Sequence, residues 1–256
     1  MDMDNVIEVL NLYRDYVNSR GLLKRDRLTV KALDGISFSV KRGEIFGLLG
    51  QNGAGKTTTI KILTTLLAPT SGVCRVLGYD TYGEEKKIRS RINFIFGGEM
   101  GVYRRLSARD NLRYFSNLYL VDRNVQKKNI ERILKIVDLS DRADDLVETY
   151  SKGMIQRLQI ARGLVNDPEI LFMDEPTVGL DPLGARMLRD IIRHLREEGR
   201  TILLTTHYLP EAEELCDQIA IINKGKIVAI GTPNEIKRGY NTLEDAYINL
   251  IEGMNI

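Results

Sequence analysis

The feature that most constrains this chain is the loop Gly50-Gln51-Asn52-Gly53-Ala54-Gly55-Lys56-Thr57, which satisfies G-x-x-x-x-G-K-[ST]. An apolar run, Ile45-Phe46-Gly47-Leu48-Leu49, leads into it and reads as a short buried strand. Thr58-Thr59-Ile60-Lys61-Ile62-Leu63 follows without Gly or Pro and continues as a helix. The glycines let main-chain amides approach a phosphate chain with no Cβ in the way. The helix starting near Lys56 turns its positive end toward the same phosphates. Lys56 adds a point charge on the β- and γ-phosphates, and the Thr57 hydroxyl can ligate Mg²⁺. The loop through Thr58 is a nucleoside-triphosphate site.

With 256 residues there is room for one large domain, or one core with a subdomain. Hydrophobic residues at 43% and charged residues at 28% are ordinary globular composition, and a net charge of +2 gives no global field for nucleic acid. Cys74 and Cys216 stand alone without C-x-x-C spacing, so neither a zinc site nor a disulfide framework is expected, and a reducing, cytoplasmic setting fits. The acidic start, MDMDNVIEVL, lacks the basic-then-apolar order of a signal peptide. No apolar run approaches the ~18 residues of a spanning helix. Any membrane part is expected to be another chain.

Val6 to Leu12 and Val30 to Val40 alternate as strands, so the chain should begin with an antiparallel, strand-only portion. Between them the charged stretch from Ser19 to Arg27, with Lys24 and Arg25, reads as a solvated loop. Val73–Leu77 and Ile92–Phe96 are further strands. From Gly97 to about Ala161 the period changes: Leu112, Phe115, Leu118 and Tyr119, then Ile130, Ile133, Leu134 and Val137, recur at helical spacing. This is a helical insertion, with Tyr114, Phe115 and Tyr119 expected in its core. Strands return at Ile170–Met173 and Ile202–Thr206, flanking a helix through Leu188, Ile191, Ile192 and Leu195, which implies a parallel sheet. Asn223-Lys224-Gly225 marks a hairpin, and Thr232-Pro233-Asn234-Glu235 starts a last helical segment.

Asp174 and Glu175 close the apolar strand 170–173. Ligands bind at the carboxyl edge of such sheets, so Asp174 is placed to hold Mg²⁺ and Glu175 to act as general base on the attacking water. His207 follows strand 202–206 at the same edge, where a neutral imidazole can hydrogen-bond a γ-phosphate. His194, between Arg193 and Arg196, reads as solvated.

Guanine-specific phosphate-loop proteins carry Asn-Lys-x-Asp, whereas Asn223-Lys224-Gly225-Lys226 puts lysine where the base-reading carboxylate belongs. The order of elements instead resembles the ATPase subunit of an ATP-binding cassette (ABC) transporter, over nearly the whole chain. On that resemblance Ala32 to Phe38 is the lead-in strand, and Ile170 to Glu175 the Walker B segment with the catalytic glutamate. Gly179-Leu180-Asp181-Pro182 is then the D-loop, His207 the switch histidine, and Tyr16 the adenine-stacking aromatic, with Tyr13 as second choice. Two motifs depart from the family's pattern. The signature Leu-Ser-Gly-Gly-Gln stands here as Tyr150-Ser151-Lys152-Gly153-Met154, keeping the Ser151 hydroxyl and the Gly153 amide. The Q-loop glutamine is replaced by Gly97-Gly98-Glu99, with Glu99 the nearest polar candidate.

The resemblance implies an α/β fold: a RecA-like P-loop core with a mostly parallel sheet, an antiparallel N-terminal portion and an inserted helical subdomain. The core would take 1–96 and 162–232, the helical subdomain 97–161, and a C-terminal helical extension 233–256. It implies that two cassettes, this chain with itself or a paralogue, stack head to tail with ATP and Mg²⁺ between them, Ser151 to Met154 of one facing the other's nucleotide. It also implies a separate transmembrane permease at the inner face of the cell membrane, and no nucleic acid. Leu106 to Leu112 and Thr242 to Tyr247 look like the export-type branch, with Arg104, Arg105 and Arg109 on the face toward the permease. Two other readings are a soluble cassette ATPase acting on nucleic acid or ribosomes, and an ATP-binding regulatory module with little turnover.

Overall fold

The computed structural model describes residues 4–20, 26–97 and 101–253. The chain opens with β1 (Asn5–Arg20), β2 (Asp26–Lys41), β3 (Ile45–Leu49), α1 (Lys56–Leu63), β4 (Ser71–Val76), β5 (Tyr79–Asp80) and α2 (Glu85–Arg89). Next come β6 (Ile92–Phe96), α3 (Ala108–Leu118), α4 (Arg123–Ile136), α5 (Lys152–Gly163), β7 (Ile170–Asp174), α6 (Pro182–Glu197) and β8 (Thr201–Thr206). Last are α7 (Leu209–Leu215), β9 (Gln218–Asn223), β10 (Lys226–Gly231), α8 (Pro233–Ile236) and α9 (Leu243–Glu252). The elements fall into two compact units, Met1–Ile88 with Thr205–Ile256, and Arg89–Leu204.

In the first unit β2, β1, β4 and β5 form an antiparallel sheet in that order, the strand-only portion expected from the sequence. The β1–β2 hairpin is longer than the alternation suggests. Its pairing runs out to Ser19↔Arg27 and Arg20↔Asp26, so the ends of the charged stretch are strand rather than loop; residues 21–25 lie outside the described residues. Main-chain hydrogen bonds carry that end, and a search for buried alternation is blind to them.

Gly72 shows how tightly this sheet is built. Its φ is 96°, and a Cβ there would stand 2.1 Å from the main-chain oxygen of Asn11, in a part of β1 where the register against β4 shifts. Gly72→Ala is expected to cost about 2–4 kcal/mol through strain and main-chain collision. The check is a urea titration, in which the midpoint falls while the slope stays constant.

The same unit holds β10, β9 and β3 side by side, β9 antiparallel to β10 and parallel to β3. Lys224 (φ 46°) and Gly225 (φ 79°) supply the two left-handed positions of the tight β9–β10 turn, as Asn-Lys-Gly suggested. All five residues of β3 are buried, which is the environment a two-faced apolar strand requires.

In the second unit β6 and β7 run parallel, from Ile92↔Ile170 to Phe96↔Asp174. Between them in sequence lie α3, α4 and α5, whose interior is built from Leu112, Ile130, Ile133, Leu134, Ile155 and Leu158. The aromatic stripe is not part of it. Tyr114 and Tyr119 are exposed and Phe115 is half-buried, because α3 buries Ala108, Asn111, Leu112 and Ser116 instead. Asn111 can be fully buried because its amide donates to the Tyr103 and Ser107 carbonyls, while its oxygen accepts from the Tyr103 N–H. The displaced rings cluster outside, Tyr103 and Tyr114 edge-to-face at 4.9 Å and Phe115 under the guanidinium of Arg162. The α6 face, Leu188, Ile191, Ile192 and Leu195, is buried as its spacing predicts.

Candidate nucleotide site

In the first unit the loop from Gly50 to Thr58 joins β3 to α1. Lys56 is buried, and its ammonium donates to the main-chain oxygens of Gly50 at 2.6 Å and Gln51 at 3.3 Å. The loop thus curls around its own lysine, which fixes where the charge sits. Ala54 donates back to Gln51 at 3.1 Å and closes the turn. Gly55 is the N-cap of α1 and brings no capping side chain, whereas Ser107, Ser151 and Asp181 cap α3, α5 and α6 with theirs. A helix start without a side-chain cap leaves its first turn open to an anion. Thr57, in that first turn, is exposed. Gly50 also donates to the Thr206 oxygen at 3.4 Å, so His207, the next residue, is tied to the root of the loop. The structure therefore brings together Gly50, Lys56 and His207.

Tyr16 sits on β1 opposite Val30, half-buried, with the Arg14 guanidinium 4.8 Å from its ring centre. Tyr13 is exposed. His194 on α6 is exposed, as expected, and lies 3.6 Å from Glu198 at the end of the helix.

The second unit carries the acidic pair. Asp174 ends β7, and Glu175 follows with φ of 50°. Such a conformation costs a non-glycine residue about 1–3 kcal/mol and persists where its surroundings impose it, most often at functional sites. Gly97 lies against it: a Cβ there would stand 2.7 Å from the carbonyl oxygens of both Asp174 and Glu175. Gly98 and Glu99 lie outside the described residues. Arg162 of α5 donates to Phe94 on one side of that segment and to Gly101 on the other, each at 3.0 Å.

Ser151, Lys152, Gly153 and Met154 line one cleft of about 350 Å³ together with Gly179, Leu180 and Asp181, so the two motifs share a surface. Tyr150, where the family pattern has leucine, is buried and donates its hydroxyl to the Arg142 carbonyl, so the ring takes the apolar place and its polar tip is satisfied. Arg109 is bound within the chain by Glu131 and Asp144.

The family model for ABC transporters matches residues 33–178. The chain belongs to the ABC transporter family. ABC transporter ATP-binding protein NatA of Bacillus subtilis is 38% identical over 88% of this chain and 93% of its own length. A fluoroquinolones export ATP-binding protein of Mycobacterium tuberculosis is 43% identical over 87% and 73%. Among solved structures, cbiO1 of Clostridium perfringens, part of the ABC transporter complex cbiONQ, superposes with a TM-score of 0.83 at 25% identity, over 99% of this chain and 100% of that one. The fold is accordingly the RecA-like cassette read from the sequence, and the protein binds ATP and is an ATPase.

Asp181, expected from the resemblance to lie in the D-loop, has a structural role in this ABC cassette. Asp181 Oδ1 accepts from the Gly184 amide at 2.7 Å and caps α6. Asp181→Ala should cost about 1 kcal/mol of stability, and Asp181→Asn should recover most of it. Paired denaturation curves check this. Any loss of ATPase common to both variants then belongs to the cleft and not to the cap.

The motifs did not point to Arg162, whose guanidinium joins the Phe94 and Gly101 carbonyls.

Proposed function

We propose that this chain is the ATP-hydrolysing subunit of an export-type ABC transporter, one that pairs on Mg-ATP with a second copy or a paralogous cassette and powers a separate membrane permease. The observation that carries the reading is the buried Lys56 ammonium, held by the carbonyls of its own glycine-rich loop beside a helix start with no side-chain cap. In this reading Lys56 and the amides from Gly50 to Thr58 bind the phosphates of ATP, and Tyr16 stacks on its adenine. Glu175 takes the proton of the attacking water, and His207 hydrogen-bonds the γ-phosphate. Ser151 to Met154, sharing a cleft with Asp181, present a hydroxyl, an ammonium and amides to the nucleotide held by the other copy.

Mg²⁺ fits the donors present. It is a hard ion that takes one or two carboxylates plus phosphate oxygens, and the exposed Thr57 hydroxyl and the strand-end Asp174 are oxygen donors of that kind. Thr57 and Asp174 would hold it, and it would supply neutralisation of charge on the phosphates.

Export is supported by the relative named for fluoroquinolone export. Among the described residues no helix is long and apolar enough to cross a membrane, so the cargo path is assigned to the permease. Steady-state phosphate release by the purified chain tests the reading. We expect turnover that needs Mg²⁺ and rises when the permease is reconstituted with it. Tight ATP binding without turnover in either setting would convert the reading to a regulatory module.

A further inference from the structure

We propose that Gly225, in the β9–β10 turn, is a positioning residue for the phosphate loop, and that the Asp34–Lys226 ion pair holds this turn against β2. The inference rests on the reading of Gly50–Thr58 as the ATP site.

Two main-chain hydrogen bonds join three separate pieces of the first unit. The Gly225 N–H donates to the Ala54 oxygen at 2.9 Å, and the Asp34 N–H donates to the Gly225 oxygen at 2.8 Å. Gly225 is buried, and both of its main-chain polar groups are spent, one on the loop and one on β2. Its partner Ala54 is also buried and immediately precedes Gly55, the N-cap of α1. Lys56 comes next. The turn therefore grips the loop at the root of its phosphate-binding end.

The steric fit is as close as the hydrogen bonding. A Cβ on Gly225 would stand 2.9 Å from the Ala32 oxygen, and one on Gly55 2.7 Å from the same atom. One on Gly50 would stand 2.3 Å from the Ile222 oxygen, whereas one on Gly53 would meet nothing within 4 Å. Two of the three motif glycines thus face β2 and β9, and the loop is moulded on them. Strand β9 also pairs with β3, the strand that leads into the loop, as far as Leu49↔Ile221. The ion pair completes the clamp. Asp34 lies 3.3 Å from Lys226, the residue after Gly225, and 3.6 Å from Lys31 on its own strand.

Gly225→Ala adds a Cβ against Ala32 and places alanine at a φ of 79°. We expect Kd for ATP to rise about tenfold, with kcat at saturating ATP much less affected, as strain is passed to one phosphate-binding segment. Gly239→Ala is the control, because φ there is 90° but a Cβ meets nothing within 4 Å; its Kd should stay within twofold of wild type. Lys226→Ala and Asp34→Asn loosen the clamp without touching the main chain. Each should raise Kd about two- to fivefold, the range of one partly exposed ion pair. The double variant should be no weaker than the weaker single, since both remove the same pair. This cycle decides the matter where Gly225→Ala does not fold. A Gly225→Ala Kd within twofold of wild type, an equal rise in Gly239→Ala, or independent effects of Lys226→Ala and Asp34→Asn overturns the positioning role and leaves the ATP site standing. Absence of ATP binding in the wild-type chain would instead remove the site itself, and this inference with it.

Discussion

Glu175→Gln is expected to bind ATP almost as the wild type does and to hydrolyse it about 10²- to 10⁴-fold more slowly, the range a positioned general base contributes. The amide has the shape of the carboxylate but cannot accept the proton of the attacking water. Nor does the change relieve the left-handed main chain at residue 175, because glutamine is no freer there than glutamate. Asp174 and the close approach of Gly97 depend on main-chain geometry and should be unaffected. Single-turnover phosphate release from pre-bound ATP isolates the step. A rate within tenfold of wild type would remove Glu175 from the role of base and direct attention to another acceptor near the γ-phosphate.

Lys56→Ala should act at the other end of the reaction, on binding. Hydrogen bonds to charged groups contribute about 1.5–3 kcal/mol each, so if Lys56 binds the phosphates as proposed, losing its ammonium should weaken ATP binding about 10²- to 10³-fold. The substitution also leaves the Gly50 and Gln51 oxygens without the donor they share, so a modest loss of stability should accompany it. Lys56→Arg is not expected to restore affinity. The slot is buried and shaped for a compact point charge, and a planar guanidinium is larger and differently directed. Equilibrium titration with ATP reads both variants. Affinity within threefold of wild type in Lys56→Ala would mean that the loop does not bind the phosphates through its lysine.

Both expectations concern residues that were legible in the sequence, for a physical reason. The phosphate loop, the Asp174–Glu175 pair and His207 lie where a two-faced apolar strand ends, and such strands leave a continuous hydrophobic run that length and flanking glycines identify. The Asn-Lys-Gly turn was legible because only a few residue types accept two consecutive left-handed positions. Features that depend on which way a helix is turned were not. The spacing of Leu112, Phe115 and Tyr119 fits a helix, but whether α3 buries Phe115 or the polar Asn111 depends on hydrogen bonds between Asn111 and the main chain of Tyr103 and Ser107 that no periodicity records. The strained φ of Glu175 is likewise not recorded by periodicity.

In the proposed function, the cleft lined by Ser151–Met154 and Asp181 faces the nucleotide on the phosphate loop of a second copy. That arrangement is tested most directly by light scattering on Glu175→Gln with and without Mg-ATP. A chain of 29.1 kDa that cannot discharge its nucleotide should run at twice that mass with Mg-ATP, and at the single mass without nucleotide or with Ser151 replaced by a bulky residue. A mass of 29.1 kDa under saturating Mg-ATP would contradict a site completed by a second copy of this chain.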